Sequence, residues 1–467
     1  MTTFSLRAAK QPRPLLALLG LGLAGLASCQ TNIDAPPAAS AGPLDFTSYV
    51  AVGNSLTSGY SDGGLYNEAQ ATSYPALLAQ QFAATGKGPA SFLQPAFSSA
   101  RKDGSGYAKL QLVNGALTPV TPSVSNSFLG EQVAYTGSTL PSGQAQLEAY
   151  SGAQPDNLGV PGISVLSSLN ALTKNLAPYG IINPFYERLL TAAEKPTKDY
   201  VTYIGQKSPT FFTCWMGNND VLTYASAGGV ASATNPFSGL TDTTSFGIGY
   251  RAILQTISKG GTVKGAVANI PNVTAVPYFT TVTVGAVNAA IKANAALPNA
   301  SAASLYITTG TGTVRAATSG DLLVLTSQAV IGSRSTTANP LPVGVGYSAA
   351  QSNPLPSQYV LDADEQTAVL ARTAQLNAII AKTAARYKVP VVDAFTFLTQ
   401  VGPGVATNAV NNSATYASGN LFSLDGVHPT PRGYAIIANE WIRVINNYYG
   451  ASIPQVAPND YRAVPFP

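Results

Sequence analysis

Short apolar runs, two of them closed by glycine, alternate along this chain with longer stretches of helical period. The run "SYVAVG", ending at Gly53, is continuous enough to be a strand buried on both faces. "TFFTCWMG", Thr210 to Gly217, and "VKGAVANI", Val263 to Ile270, read the same way, and "VPVVDA" adds a fourth. Helices fall between them. Ser73 to Gly86 is one, with Gly86 as its C-terminal stop, and "GYRAILQTISKGG" is another. The strongest runs from Asp362 to Tyr387. There Leu376, Ile379, Ile380, Thr383 and Tyr387 share one stripe, and acids lead the first turn. The last helix begins at Thr430-Pro431, a capping residue followed by proline, and Tyr434, Ile437, Trp441, Val444 and Tyr448 mark its buried face. Buried strands alternating with amphipathic helices predict an α/β fold whose mainly parallel sheet is covered on both sides.

Two stretches break the rhythm. Residues 90–155 are rich in Gly, Ser and Pro, and residues 281–358 carry short β-like runs, "SLYITTG" and "DLLVLTS", among many Thr, Ala and Gly. Both read as insertions on one core domain covering residues 45–450, followed by a tail at 451–467. A length of 467 residues is compatible with such an arrangement.

The N-terminus has a different pattern. Arg7, Lys10 and Arg13 precede an apolar run, Leu15 to Ala27, of signal-peptide length and too short to span a bilayer comfortably. It ends in Leu26-Ala27-Ser28-Cys29, which resembles the lipobox of bacterial lipoproteins. That resemblance implies cleavage after residue 28, lipid on Cys29, and an exported protein of the cell envelope anchored in the outer membrane. Residues 29–44 then read as a flexible tether. Only 10% of the chain is charged, well below the roughly 25% of an average globular protein, which suits an exported surface. The formal charge of +4 falls to +1 once the three leader cations are removed, so no basic patch points to nucleic acid. With Cys29 lipidated, Cys214 has no partner and reads as a buried thiol.

The chain has one histidine, His428, which excludes a zinc site built from several imidazoles. It stands in "SLDGVHPTPRGY", three residues after Asp425. A hydroxyl nucleophile needs a base to take its proton, and the base needs an acceptor to fix its tautomer. Asp and His at this spacing can face each other on one loop. Two serines compete for the nucleophile. Ser61 matches a G-x-S-x-G elbow letter for letter, but lies in a polar loop well past the first strand. Ser55, in Gly53-Asn54-Ser55-Leu56, follows the strand directly, where an elbow belongs.

Four blocks in order resemble the GDSL/SGNH hydrolases, across most of the chain after the leader. Gly53-Asn54-Ser55-Leu56 is the first, "NLGVPG" the second, Gly217-Asn218-Asn219-Asp220 the third and Asp425-Gly426-Val427-His428 the fourth. The resemblance implies a three-layer α/β/α sandwich. It also implies Ser55 as nucleophile, His428 as base, Asp425 as its orienter, and an oxyanion hole from the Ser55 and Gly162 N–H groups with the Asn219 amide. One position departs from the family pattern: Asn54 stands where Asp is usual, with a modest effect expected on how the nucleophile turn is held.

The implied chemistry is ester hydrolysis by acyl transfer to water, with no metal or organic cofactor. Partners would be an ester substrate, lipid or acylated glycan, and the membrane through the lipid anchor. An acetylesterase acting on polysaccharide or peptidoglycan would use the same residues. A broad apolar cleft under residues 281–358 would favour long acyl chains, and a shallow polar one acetyl groups. A non-catalytic surface lipoprotein that binds glycan or protein is the alternative of another class. Asp393 reads as a strand-end cap, and Trp215 and Trp441 as core. "NIPNVTAVPYF", Asn269 to Phe279, reads either as a wall of the acyl pocket or as a surface loop.

Overall fold

Strand β1, Tyr49–Gly53, is buried at every position and pairs in parallel with β2, Phe211–Trp215. Next to β2 lies β3, Lys264–Ala268, and β4, Val391–Val392, closes that side, every pairing parallel. This is a computed structural model, and it describes residues 38–121, 147–170, 183–333 and 339–467. The leader, Cys29 and the first part of the tether lie outside the described residues.

The free edge of β1 is covered by a segment the apolar pattern does not announce. Ala51 N–H donates to the Asp156 carbonyl at 2.9 Å, and Leu158 N–H and Val160 N–H donate to Ala51 and Gly53 carbonyls at 2.8 and 3.0 Å. Residues 156–160 are thus a rudimentary fifth parallel strand. Gly159 permits this approach, because a Cβ there would lie 2.3 Å from the Ser58 nitrogen.

Alternate residues of each strand serve opposite faces. Val50, Val52, Phe212, Cys214 and Val267 join one core. It is covered by α4, Thr243–Ile257, and α5, Ala363–Arg386. Tyr49, Ala51, Phe211, Trp215 and Ala266 join the other, against α2, Tyr74–Ala84, and α6, Pro431–Tyr449. Two short helices sit at strand ends, α1, Ser55–Ser58, and α3, Asn219–Ser226. The fold is a three-layer α/β/α sandwich. Cys214 is a buried free thiol, and the Trp215 and Trp441 rings meet edge to face at 6.1 Å inside the core.

Local signals account for most helix ends. Gly86 follows α2 with φ +73°, the left-handed conformation expected of a stop. Asp362 and Glu365 form a capping box at the head of α5. The helix expected from Gly249 starts earlier, at Thr243, because the Asp242 carboxylate accepts from Thr244 and Ser245 N–H. The buried face of α6 is also corrected. Tyr434, Ile437 and Trp441 are buried, but it continues through Ile442 and Ile445, while Tyr448 is 53% exposed. Tyr448 lies on the flank of the stripe, and its hydroxyl reaches only the Lys388 carbonyl.

Residues 281–358 build a unit with its own apolar cluster, including Val284, Ile291, Leu305, Ile307 and Val345. Its centre is a small antiparallel sheet, with Ser304–Thr308 between Val314–Ala316 and Val345–Ser348. Within 90–155, Lys109–Val113 pairs antiparallel with Ala116–Val120. The end of the tether departs from expectation: Ser40 pairs with Ser452, and Ala41 and Leu44 are buried. Leu44 and Phe46 fill the α2/α6 core, so packing begins near residue 40.

Thr430 caps α6, its Oγ1 accepting from Gly433 N–H at 3.0 Å and donating to the Asn420 carbonyl. Thr430→Ala should lower stability by about 1–2 kcal/mol. A lower urea midpoint at constant m-value would show it, and an unmoved midpoint would deny the cap its role.

Candidate active site

The site is assembled from loops leaving the carboxyl ends of the strands. β1 stops at Gly53, where a Cβ would come within 1.9 Å of Thr57 Oγ1. Asn54 Oδ1 accepts Leu56 N–H at 3.1 Å and so caps α1, while its Nδ2 is buried without a partner among the described residues. The departure from Asp at this position therefore keeps the cap but leaves one amide nitrogen unsatisfied. Ser55 opens α1 and is 6% exposed.

The rudimentary strand delivers Gly162, exposed, with φ +79°. Its loop is tied to the end of β2. Asn219 Nδ2 donates to the Ile163 carbonyl at 2.8 Å, leaving its second N–H for another acceptor. The buried Asp220 carboxylate accepts from Val165 N–H at 2.7 Å and Leu166 N–H at 3.2 Å. Burial pushes the Asp220 carboxyl up to about 6, against the lowering effect of those N–H groups and Thr241.

On the loop before α6, Asp425 Oδ2 lies 2.8 Å from His428 Nδ1. Asp425 Oδ1 accepts the backbone N–H of Val427 and of His428, both at 2.8 Å. Burial raises this carboxyl, but the His428 charge, its ring contact and these N–H groups outweigh it and hold Asp425 below the usual carboxylate value. The Tyr60 ring packs against the imidazole, centroids 4.7 Å apart.

Ser55, Asn219 and His428 line one small cleft, part of it open to solvent. Apart from Asn218 its other walls are apolar, with Leu222, Val273, Val276, Leu398 and Phe422. The loop "NIPNVTAVPYF" thus contributes a wall, through Pro271, Val273 and Val276, rather than lying free on the surface. Among the described residues none of this lining comes from 281–358. Asp393 accepts from Thr396 N–H and the Asn269 side chain, the cap anticipated for it. Ser61 is fully buried, donates to the Pro429 carbonyl at 3.0 Å and does not line the cleft.

Three residues of the site receive no role from the sequence, although Asn218 stands inside the third block. Asn218 lines the cleft at 4% exposure, and neither amide atom has a hydrogen-bond partner among the described residues. Asp62 and Gly63 bond the Ser423–Asp425 loop. Only the glycine-rich "GYSDGG" stretch hints at a close backbone approach there.

A serine, an amide and an Asp–His pair thus stand together at the carboxyl ends of a parallel sheet in an α/β/α fold. The chain belongs to the GDSL-like Lipase/Acylhydrolase family, whose model matches residues 49–441. No curated protein and no solved structure matches it. As a member of that family it is a hydrolase of ester bonds.

The raised Asp220 carboxyl has a consequence for stability. Between roughly pH 4 and 6 the folded chain keeps a proton that the unfolded chain has released, so this group makes stability fall as pH rises through that window. The stability difference between wild type and Asp220→Asn should therefore narrow from pH 4 to pH 7. Denaturant titrations at each pH measure it, and a constant difference would mean Asp220 does not titrate there.

Proposed function

We propose that the chain is a membrane-anchored serine esterase or lipase. The observation that carries this reading is a single one: Ser55, Asn219 and His428 face one apolar cleft, with Asp425 behind the imidazole at 2.8 Å. Ser55 Oγ attacks the ester carbonyl while His428 Nε2 takes its proton. Asp425 holds Nδ1–H, which sets the tautomer and stabilises the imidazolium that forms. The tetrahedral oxyanion accepts from Ser55 N–H, Gly162 N–H and the free N–H of Asn219. His428 then protonates the leaving alcohol, and water repeats the sequence on the acyl-enzyme.

The apolar lining favours an ester with a hydrocarbon acyl chain over an acetylated glycan, since a sugar hydroxyl would find few partners there. Anchoring rests on the sequence alone. Lipid on Cys29 would tether the enzyme to the outer membrane, leaving about ten residues before the packed Ser40.

Hydrolysis of p-nitrophenyl esters with two-, eight- and sixteen-carbon acyl groups tests the reading. Turnover should be highest on the longer chains and absent in Ser55→Ala. A fluorophosphonate probe should label wild type and Ser61→Ala but not Ser55→Ala. Asn219→Ala should fold normally and lose about 10²–10³-fold in kcat. A folded wild type inert on all three esters would turn the assignment to a binding lipoprotein, and two-carbon preference would turn it to an acetylesterase.

A further inference from the structure

The family match ends at residue 441, yet residues beyond it reach back to the loop that carries Asp425 and His428. Arg432 N–H donates to the Arg462 carbonyl at 3.0 Å and its guanidinium to the Tyr461 carbonyl at 3.1 Å, which fixes the end of the chain beside the head of α6. Val464 is buried against Leu424, the neighbour of Asp425. The Arg462 guanidinium lies 3.8 Å from Asp62 Oδ2 and donates to the Tyr66 hydroxyl at 2.9 Å. That hydroxyl in turn donates to Asp62 at 2.8 Å.

Asp62 grips the acid loop through both its backbone and its side chain. Its N–H donates to Ser423 Oγ at 2.8 Å, and its Oδ1 accepts Leu424 N–H at 3.1 Å. The next residue, Gly63, donates its N–H at 2.9 Å to Asp425 Oδ2, the oxygen that faces His428 Nδ1. Asp62 adopts φ +54°, the left-handed region that aspartate enters more readily than most other non-glycine residues. It is also almost fully buried, where an unpaired carboxylate is costly. The Leu424 N–H, the Tyr66 hydroxyl and the Arg462 guanidinium, which is itself also paired with Glu68, together offset part of that cost.

We propose that Arg462 and Asp62 are positioning residues for the Asp425–His428 pair, so that the C-terminal tail is a working part of the active site. Arg462, directly and through the Tyr66 hydroxyl, holds the Asp62 carboxylate in place. Asp62 and Gly63 then hold residues 423–425 so that one carboxylate oxygen of Asp425 stays on Nδ1. The "GYSDGG" loop, whose G-x-S-x-G letters suggest a nucleophile, thereby serves as the seat of Asp425 instead. This rests on Asp425 and His428 being the orienter and base.

A double-mutant cycle on Arg462→Gln and Asp62→Asn tests it in the full-length chain. Each single variant should lose roughly ten-fold in kcat with KM unchanged, because orientation of the base matters only as charge develops. The double variant should be no worse than either single, since the two act as one unit. His428 is the only histidine, so its Nδ1–H gives a single downfield proton resonance that needs no assignment. That resonance should be present in wild type and in Ser55→Ala, and broadened by exchange in Arg462→Gln. Thermal unfolding of each variant separates a loosened loop from a lost fold. A folded Arg462→Gln with wild-type kcat and an unchanged imidazole signal overturns the proposal, as do losses that simply add in the double variant. Should hydrolysis survive Ser55→Ala, the nucleophile assignment fails, while the imidazole signal still decides whether the tail braces the pair.

Discussion

Gly53 ends a strand that is hydrogen-bonded along both edges and packed on both faces, and that enclosure decides where this chain can do chemistry. Inside the sheet the backbone is largely paired with neighbouring strands, and most side chains are committed to one of two apolar cores. Reactive groups can therefore stand only where strands stop. In a parallel sheet all the carboxyl ends lie along one rim, so residues far apart in sequence become neighbours. Ser55 comes from the end of β1, Gly162 from the rudimentary strand beside it, and Asn219 from β2. The crevice forms where the chain turns to opposite sides of β1.

Loops at that rim are held by polar groups as well as by apolar contact, and buried carboxylates make several of the ties. Asp220 ties the Gly162 loop to the end of β2, and Asp62 ties the loop after β1 to the one bearing Asp425. Each is buried, and burial drives its carboxyl upward. The exception is Asp425, where the neighbouring imidazole and two N–H groups reverse the effect of burial. Three carboxylates in similar surroundings thus differ by what donates to them. The one facing the imidazole is the one held most firmly in its charged form.

The strands of the sheet were legible because a strand covered on both faces must be apolar almost throughout. The rudimentary strand at residues 156–160 was not, because it contributes backbone and carries Asp, Asn and Gly. The α6 stripe was legible through Trp441; beyond it the buried positions are Ile442 and Ile445, while Tyr448 in the last turn is exposed. The head of α4 was missed because Asp242, which nucleates it, stands before a stretch of Thr, Ser and Gly with little helical period. The four polar blocks were readable as local motifs, but nothing local could reveal that Pro271, Val273 and Val276 share a cleft with Ser55.

By itself the sequence determined the class of fold, the family and the short list of reactive groups. Those properties are carried by local patterns: the apolarity of runs, the spacing of Asp425 and His428, and the presence of a single histidine. Tertiary structure alone decided which of two plausible serines faces a cleft. It buried Ser61 against the Pro429 carbonyl and left Ser55 on the cleft wall. It also brought the last residues of the chain onto the acid loop, hundreds of positions from Asp62. Contacts at such separations depend on where a folded chain happens to pass, and no window of residues encodes that. Period and composition describe which face of an element is wet, whereas the partner on its dry or charged side is set only when the elements pack.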